Sequence, residues 1–208
     1  MEKEYYLLDG KERTGPFTYR ELVEQGLDTD TQLAVGLTGD WQYASELPEF
    51  IEYFQSVGIH FPTGDNLAGF GLRAGAFIID MILLIIPLEF FFIKAGYIVI
   101  PSSIENITMP SLQNSLIMQS IFSVVFLLYN TLFEVSSWKG TIGKKICNLI
   151  VVDIDGNKLS FLRSLGRNLG ALIASNLFYG VSFLSMLFSE HRQCWYDYLS
   201  KTYTVKTK

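Results

Sequence analysis

Two cysteines and two histidines are all that this chain of 208 residues holds of those types, and the shortage narrows its chemistry at once. Cys147 and Cys194 fit no Cys-x-x-Cys spacing and His60 and His191 stand alone, so neither a disulfide framework nor a metal centre is expected. No nucleophile and base occur as a set, and GTIGKK at 140–145 lacks the spacing of a nucleotide P-loop, so the reading is of a non-enzyme without a cofactor. The opening MEKEYYLLDGKE has no apolar core, which argues against a signal peptide. The net charge of −5, concentrated in the N-terminal part, argues against a nucleic-acid partner. Lys and Arg are also missing from the whole stretch Ala95 to Gln113.

That last absence separates two long apolar runs, Gly75 to Ile93 and Leu116 to Val135. At 1.5 Å per residue, about 20 helical residues match a hydrocarbon core about 30 Å thick, so each run is expected to span a bilayer. Basic residues collect in short cytoplasmic loops. Arg73 precedes the first run, and Lys139, Lys144, Lys145, Lys158, Arg163 and Arg167 follow the second, so both outer ends read as cytoplasmic. The connector, with Asn106-Ile107-Thr108 as an incidental glycosylation sequon, then faces outward.

Residues 1–55 contain no run long enough to span and read as a small soluble α+β domain, with 56–66 as linker and 67–208 as the membrane domain. EYYLLD at 4–9 reads as a strand, Asp9-Gly10 as a turn, and Gly15-Pro16-Phe17 as a break. Thr18 to Glu21 is a capping-box pattern that opens a short helix ending at Gly26, Thr31 to Val35 reads as a strand, and Pro48 to Phe54 as a helix. Leu7, Phe17, Leu22, Leu33 and Trp41 are the expected core.

Charges inside the apolar runs are costly and therefore informative. Arg73 and Asp80 share one helical stripe, two turns apart, and Asn130 and Glu134 share another, so a polar seam between the two helices is expected. Downstream, Ile150 to Ile154 followed by Asp155-Gly156 reads as a small cytoplasmic β-hairpin, which Thr202 to Lys206 extends by a third strand. The apolar segment Leu165 to Phe188 is interrupted by Gly166, Arg167, Gly170, Asn176 and Gly180. A break at Tyr179-Gly180 lets it enter and return, which keeps the basic C-terminal tail cytoplasmic.

Two family resemblances rest on these residues. The order Tyr-Tyr strand, Asp-Gly, Gly-Pro-Phe, helix, strand and Trp41 resembles the GYF-like domains, although the helical Trp and the Gly-Tyr-Phe triplet of their peptide-binding members are absent. The resemblance implies a peptide or protein partner for residues 1–55, through Tyr5, Tyr6, Phe17, Tyr19 and Trp41. RAGAFIID with Arg73 and Asp80, the loop SSWKGTIGKK, Arg163 and Arg167, and RQCWYDYLSKTYTV with Arg192 and Asp197 resemble the RDD family over about 67–206. Ser136, Gly140, Thr141, Gly143 and Lys144 carry the loop motif, while Trp195 and Tyr196 depart from the smaller residues usual before the final Asp.

The expected fold is thus an α-helical integral membrane domain, with two spanning helices, a broken third apolar segment and a small β-hairpin, behind a small soluble α+β domain. The RDD resemblance implies transport, with a monovalent cation exchanged for a proton at Asp80, Arg73 tuning it and Asp197 acting as a gate. Arg73, Asp80, Asn130, Glu134, Arg167, Arg192 and Asp197 form the expected polar network. A pathway through so few helices calls for a homo-oligomer. The alternative is a non-transporting scaffold or regulator that recruits a partner through residues 1–55. Either way the expected location is a bacterial cytoplasmic (inner) membrane, with the N-terminal domain in the cytoplasm.

Overall fold

The computed structural model describes residues 3–10, 12–99, 110–178 and 181–207, and the chain divides into two units, Met1–Ile59 and His60–Lys208. In the first unit β1 (Tyr5–Asp9), β2 (Glu12–Phe17), β3 (Gln32–Val35) and β4 (Trp41–Tyr43) form an antiparallel sheet in the order β2-β1-β3-β4. Helix α1 (Tyr19–Gln25) starts where the Thr18 amide donates to Glu21 Oε2 at 2.7 Å, and it ends on Gly26 in the left-handed region. Two 3-10 helices, Ala44–Glu46 and Pro48–Phe50, lead into α2 (Ile51–Ser56).

The expected break at Gly15-Pro16-Phe17 is instead part of a strand. β2 lies on the sheet edge, where a proline without an N–H removes no ladder bond on the open side. Strand β4 was also not expected, and it carries Trp41 to the opposite edge, where the indole is 38% exposed instead of in the core. Leu22 and Leu33 are buried, Leu7 and Phe17 only half-buried, and the centre is filled by Tyr5, Phe50 and Phe54.

The two apolar runs are the helices α3 (Phe70–Lys94) and α4 (Leu112–Val135). Each is long and apolar enough to cross a membrane, and only 22% and 11% of their most apolar windows are buried, so neither is packed like the core helix of a soluble protein. Ile78, Ile86, Phe90, Leu128 and Leu132 point outward. The sequon at Asn106 lies outside the described residues.

After α4 come α5 (Ile142–Ile146), β5 (Leu149–Asp153), α6 (Phe161–Phe178), a 3-10 helix (Val181–Phe188), α7 (Trp195–Leu199) and β6 (Thr202–Lys206). The expected break at Tyr179-Gly180 lies outside the described residues. β5 pairs with β6, from Leu149 opposite Lys206 to Asp153 opposite Thr202, so the strand partner is the C-terminal segment and the local hairpin at Asp155-Gly156 does not form. Residues 157–160 have no strand; Asp153 Oδ1 instead accepts the amides of Asp155 at 3.1 Å and Asn157 at 2.8 Å and curls the chain toward α6.

Residues 60–66, expected as linker, are stitched to this layer. The His60 amide donates to Gly156 O at 2.9 Å, and the Lys206 amide donates to Asn66 O at 2.8 Å. Leu67, Ile150, Val152 and Val205 make its core.

Candidate functional site

Arg73, Ala76 and Asp80 are the buried stripe of α3, set by the three- and four-residue spacing of one helical face. α5 packs against that stripe so closely at Gly143 that a Cβ there would overlap Ala76 O and come within 2.8 Å of the Asp80 carboxylate. The loop motif builds this contact. Ser136 Oγ accepts from the Trp138 amide at 3.1 Å as the chain leaves α4, Gly140 is buried, and Thr141 caps α5 by accepting the Lys144 amide at 3.3 Å.

Asp80 is the acceptor at the centre. Its Oδ1 takes the Gly143 amide at 2.7 Å and the Tyr129 hydroxyl at 2.6 Å, and its Oδ2 takes the Thr141 hydroxyl at 2.5 Å. A carboxylate at the start of α5 also suits the unsatisfied amides there.

The second half of the site is ionic. Arg73 Nη2 donates to Asp197 Oδ2 at 2.5 Å, and its Nη1 donates to the Arg192 carbonyl at 3.1 Å. Arg167 bridges two carboxylates, with Nε 2.8 Å from Asp197 Oδ1 and Nη1 2.5 Å from Glu134 Oε1. Lys144 Nζ reaches the same Glu134 Oε1 at 2.5 Å, while Asn168 Nδ2 and Ser164 Oγ donate to Oε2, each at 2.9 Å. The cluster joins three cations to two carboxylates, Glu134 and Asp197, with Asp80 beside it, and every one is at least mostly buried.

Burial pushes the Asp197 carboxyl up, but Arg167, Arg73 and the Cys194 amide outweigh it and hold the group below the ordinary aspartate range. Burial lowers the Lys144 ammonium, with Glu134 opposing. The buried Cys194 thiol and Tyr196 phenol are both raised, first by burial and then by Asp197.

Six of the seven expected network residues have buried side chains: Arg73, Asp80, Asn130, Glu134, Arg167 and Asp197. Asn130 Nδ2 donates to Phe126 O of its own helix at 3.0 Å, so this bond joins no second helix. Arg192 is a correction: its side chain is exposed and donates to Leu67 O at 3.0 Å, and only its carbonyl serves the cluster. Sequence reading missed Tyr129, Ser164 and Asn168. The last two lie at i−3 and i+1 of Arg167 on α6, a weak signal in hindsight.

Of the residues expected to bind a peptide, Tyr5 is unsuited. It is buried, edge-on to Phe50 at 5.3 Å, and its hydroxyl donates to Glu49 at 2.9 Å. Tyr19 stacks on Phe50 at 5.1 Å, and Phe17 is half-buried. Tyr6 is buried as well; its ring and the exposed indole of Trp41 flank Arg13, whose guanidinium lies 4.1 Å and 5.6 Å from their ring centres.

A cavity of about 220 Å³ adjoins the cluster. It is lined by Arg73, Asp80, Lys144 and Arg167, by Phe77, Phe126 and Phe183, and by Leu149 and Thr204 of the β5–β6 pair. Among the described residues no group of His, Cys, Asp and Glu is placed to hold a metal ion.

The sequence matches the RDD family over residues 67–201, which contain the whole cluster. It is 29% identical to the uncharacterized protein YxaI of Bacillus subtilis (strain 168) over 151 residues, covering 66% of this chain and 96% of that one. It is 28% identical to the uncharacterized protein YckC of the same organism over 143 residues, covering 66% of this chain and 83% of that one. No solved structure matches the chain. The match spans well over half the chain and includes Arg73, Asp80, the loop and Asp197, and the chain belongs to the RDD family.

Proposed function

We propose that this RDD protein is a multi-pass membrane protein, transport-associated, that takes a small solute into the cavity beside its ionic cluster. One observation carries the reading: about 220 Å³ of space is left beside Arg73, Asp80, Lys144 and Arg167, the first two of them on a helix long and apolar enough to span a bilayer. A protein built only to hold its helices together gains stability by filling such a space. The basic loops put both outer ends of α3 and α4 on the cytoplasmic side, and the N-terminal unit with them. A bacterial cytoplasmic membrane fits this arrangement. Arg167 near the start of the third apolar segment pairs with Asp197 beyond its end, which supports a segment that enters and returns. Two crossings and a re-entrant pair favour a homo-oligomer as the working unit.

Cation/proton exchange at Asp80 is the version that the sequence suggests. A cation there must displace a hydroxyl of Thr141 or Tyr129. The test is cation-dependent proton movement in proteoliposomes, wild type against Asp80→Asn; movement that is equal in both rules out Asp80 as the exchange site.

A second reading, a scaffold or regulator, is favoured by the way Asp80 spends its bonds on holding α5. The N-terminal unit, which resembles a GYF-like domain, then recruits a proline-rich segment at the exposed Arg13 and Trp41. Titration of such a peptide into the full chain, followed by fluorescence with Trp41→Phe as reference, tests it; no Trp41-dependent change removes this partner.

A further inference from the structure

We propose that the cavity in the membrane unit binds a small amphipathic anion: a carboxylate carried on a short apolar body. This deepens the reading of the cavity as a solute site and rests on it.

The charges at the wall decide the sign. Three cations, Arg73, Lys144 and Arg167, line the cavity, against one carboxylate, Asp80. Both oxygens of Asp80 are already engaged by Tyr129, Thr141 and Gly143. Glu134 and Asp197, two carboxylates that pair with these three cations, are not part of the wall. An entering cation therefore meets three like charges and a carboxylate whose oxygens are taken, whereas an anion meets donors.

Those donors have capacity left. An ammonium has three N–H groups and a guanidinium five. Lys144 gives one to Glu134, and Arg167 makes its contacts to Glu134 and Asp197 through one oxygen at each nitrogen. Thr204, also at the wall, has a buried hydroxyl with no partner among the described residues. A carboxylate satisfies such groups with two oxygens.

Beside the polar Asn130, Asn168, Ser175 and Tyr196, the apolar part of the wall sets the body of the ligand. Phe77, Phe126, Phe183 and Ala171 face the same space, so a bare inorganic ion leaves apolar surface uncovered. A cavity of roughly 150 Å³ holds a benzene ring. The space here, about 220 Å³, suits a ring or short chain plus a carboxylate, with benzoate as the simplest probe.

The test uses the full chain in detergent, by thermal unfolding and calorimetry, with sodium benzoate against sodium chloride at equal ionic strength. Benzoate is expected to bind and to raise the melting temperature where chloride does not. Ala171→Leu, which fills the cavity and keeps every charge, is expected to abolish binding. Should that variant not fold, Thr204→Val serves instead, with affinity expected to fall about tenfold, the loss of one hydrogen bond to a charged group. Benzoate acting no differently from chloride, or binding as well to the variant, overturns the proposal. So does displacement of all bound benzoate by a short-chain phosphatidate that binds far more tightly, which assigns the site to a lipid headgroup. If benzoate is inert but sodium or potassium chloride stabilises the protein relative to choline chloride, the anion inference falls and the solute reading stands. If no salt has an effect, both fall.

Discussion

Arg167 and Asp197 touch through two nitrogens, Nε and Nη2, each 2.8 Å from Oδ1, so α6 and α7 are tied at one point although a long apolar segment separates them in sequence. Arg73 completes the tie from α3 at 2.5 Å. Asp197 is therefore shared by two guanidiniums from two helices.

The first prediction follows from that sharing. Asp197→Asn removes the anion from two buried cations, whereas Arg73→Met leaves Asp197 with Arg167. Removing one partner of a buried pair costs about 3 to 5 kcal/mol, and Asp197→Asn is expected at the upper end with Arg73→Met below it. A reciprocal exchange, Arg73→Asp with Asp197→Arg, is not expected to restore stability, because the new Arg faces Arg167. Denaturant unfolding of the three variants in detergent checks this; full rescue by the exchange means that Arg167 does not matter to the pair.

The same carboxyl sets a pH dependence. Its folded-state pKa lies below the ordinary aspartate value of 3.8, so its stabilisation is complete above that value. As pH falls below about 4 the unfolded chain takes up the proton first, and stability falls. Melting temperatures are expected to stay level with respect to this group from neutral pH to about 5 and to drop beneath it. A drop that begins well above pH 5 has another source.

Gly143 and Gly166 make a matched pair for packing. A Cβ at Gly143 collides with Ala76 O and the Asp80 carboxylate, while one at Gly166 meets nothing within 4 Å. Gly143→Ala is expected to lose a few kcal/mol by forcing α5 off α3. Gly166→Ala, inside α6, is expected to gain about 0.5 to 1 kcal/mol from helix propensity. Equal effects on unfolding would mean that α5 is not held against α3.

How much of this was legible in the sequence depended on how unusual each residue is in its setting. Arg73, Asp80 and Glu134 stand out because a charge in an apolar run needs a partner. Ser164, Asn168 and Tyr129 do not, since such residues are ordinary in a helix and reveal their role only when a carboxylate from another element arrives. The β5 partner was misread for a related reason. Asp155-Gly156 is a strong local turn signal, but Asp153 turns those amides inward, and the edge goes to β6, about fifty residues downstream. In the first unit Pro16 disguised an edge strand as a break. The two membrane-length helices were the plainest feature, because twenty apolar residues leave few alternatives.

The tie between α6 and α7 also predicts sidedness. With Arg167 and Asp197 at one level, and β6 paired with β5, helix α5 at Lys145 and the strand at Lys206 belong to the same face. Single cysteines at these two exposed or half-exposed positions, in a chain lacking Cys147 and Cys194, are expected to react with an impermeant thiol reagent from the same side. Labelling from opposite sides means that the third apolar segment crosses once.

The last prediction concerns the small unit, where the sequence put Trp41 in the core and the structure does not. Trp41 is 38% exposed on an edge strand of three residues, beside Arg13. Phe50 is fully buried, with Tyr5 against it at 5.3 Å and Tyr19 at 5.1 Å. Removing a buried Phe costs about 3 to 5 kcal/mol, comparable with the whole stability of so small a domain. Phe50→Ala is therefore expected to unfold residues 3–59, read as loss of amide protection by hydrogen exchange in the full chain. Trp41→Ala is expected to leave that protection nearly intact, since an exposed aromatic contributes little burial and Arg13 keeps its bonds to the Gly36 and Leu37 carbonyls. If Trp41→Ala strips protection from β1 and β3 as Phe50→Ala does, the indole is part of the core after all, and the exposed Arg13–Trp41 surface is not available to a partner.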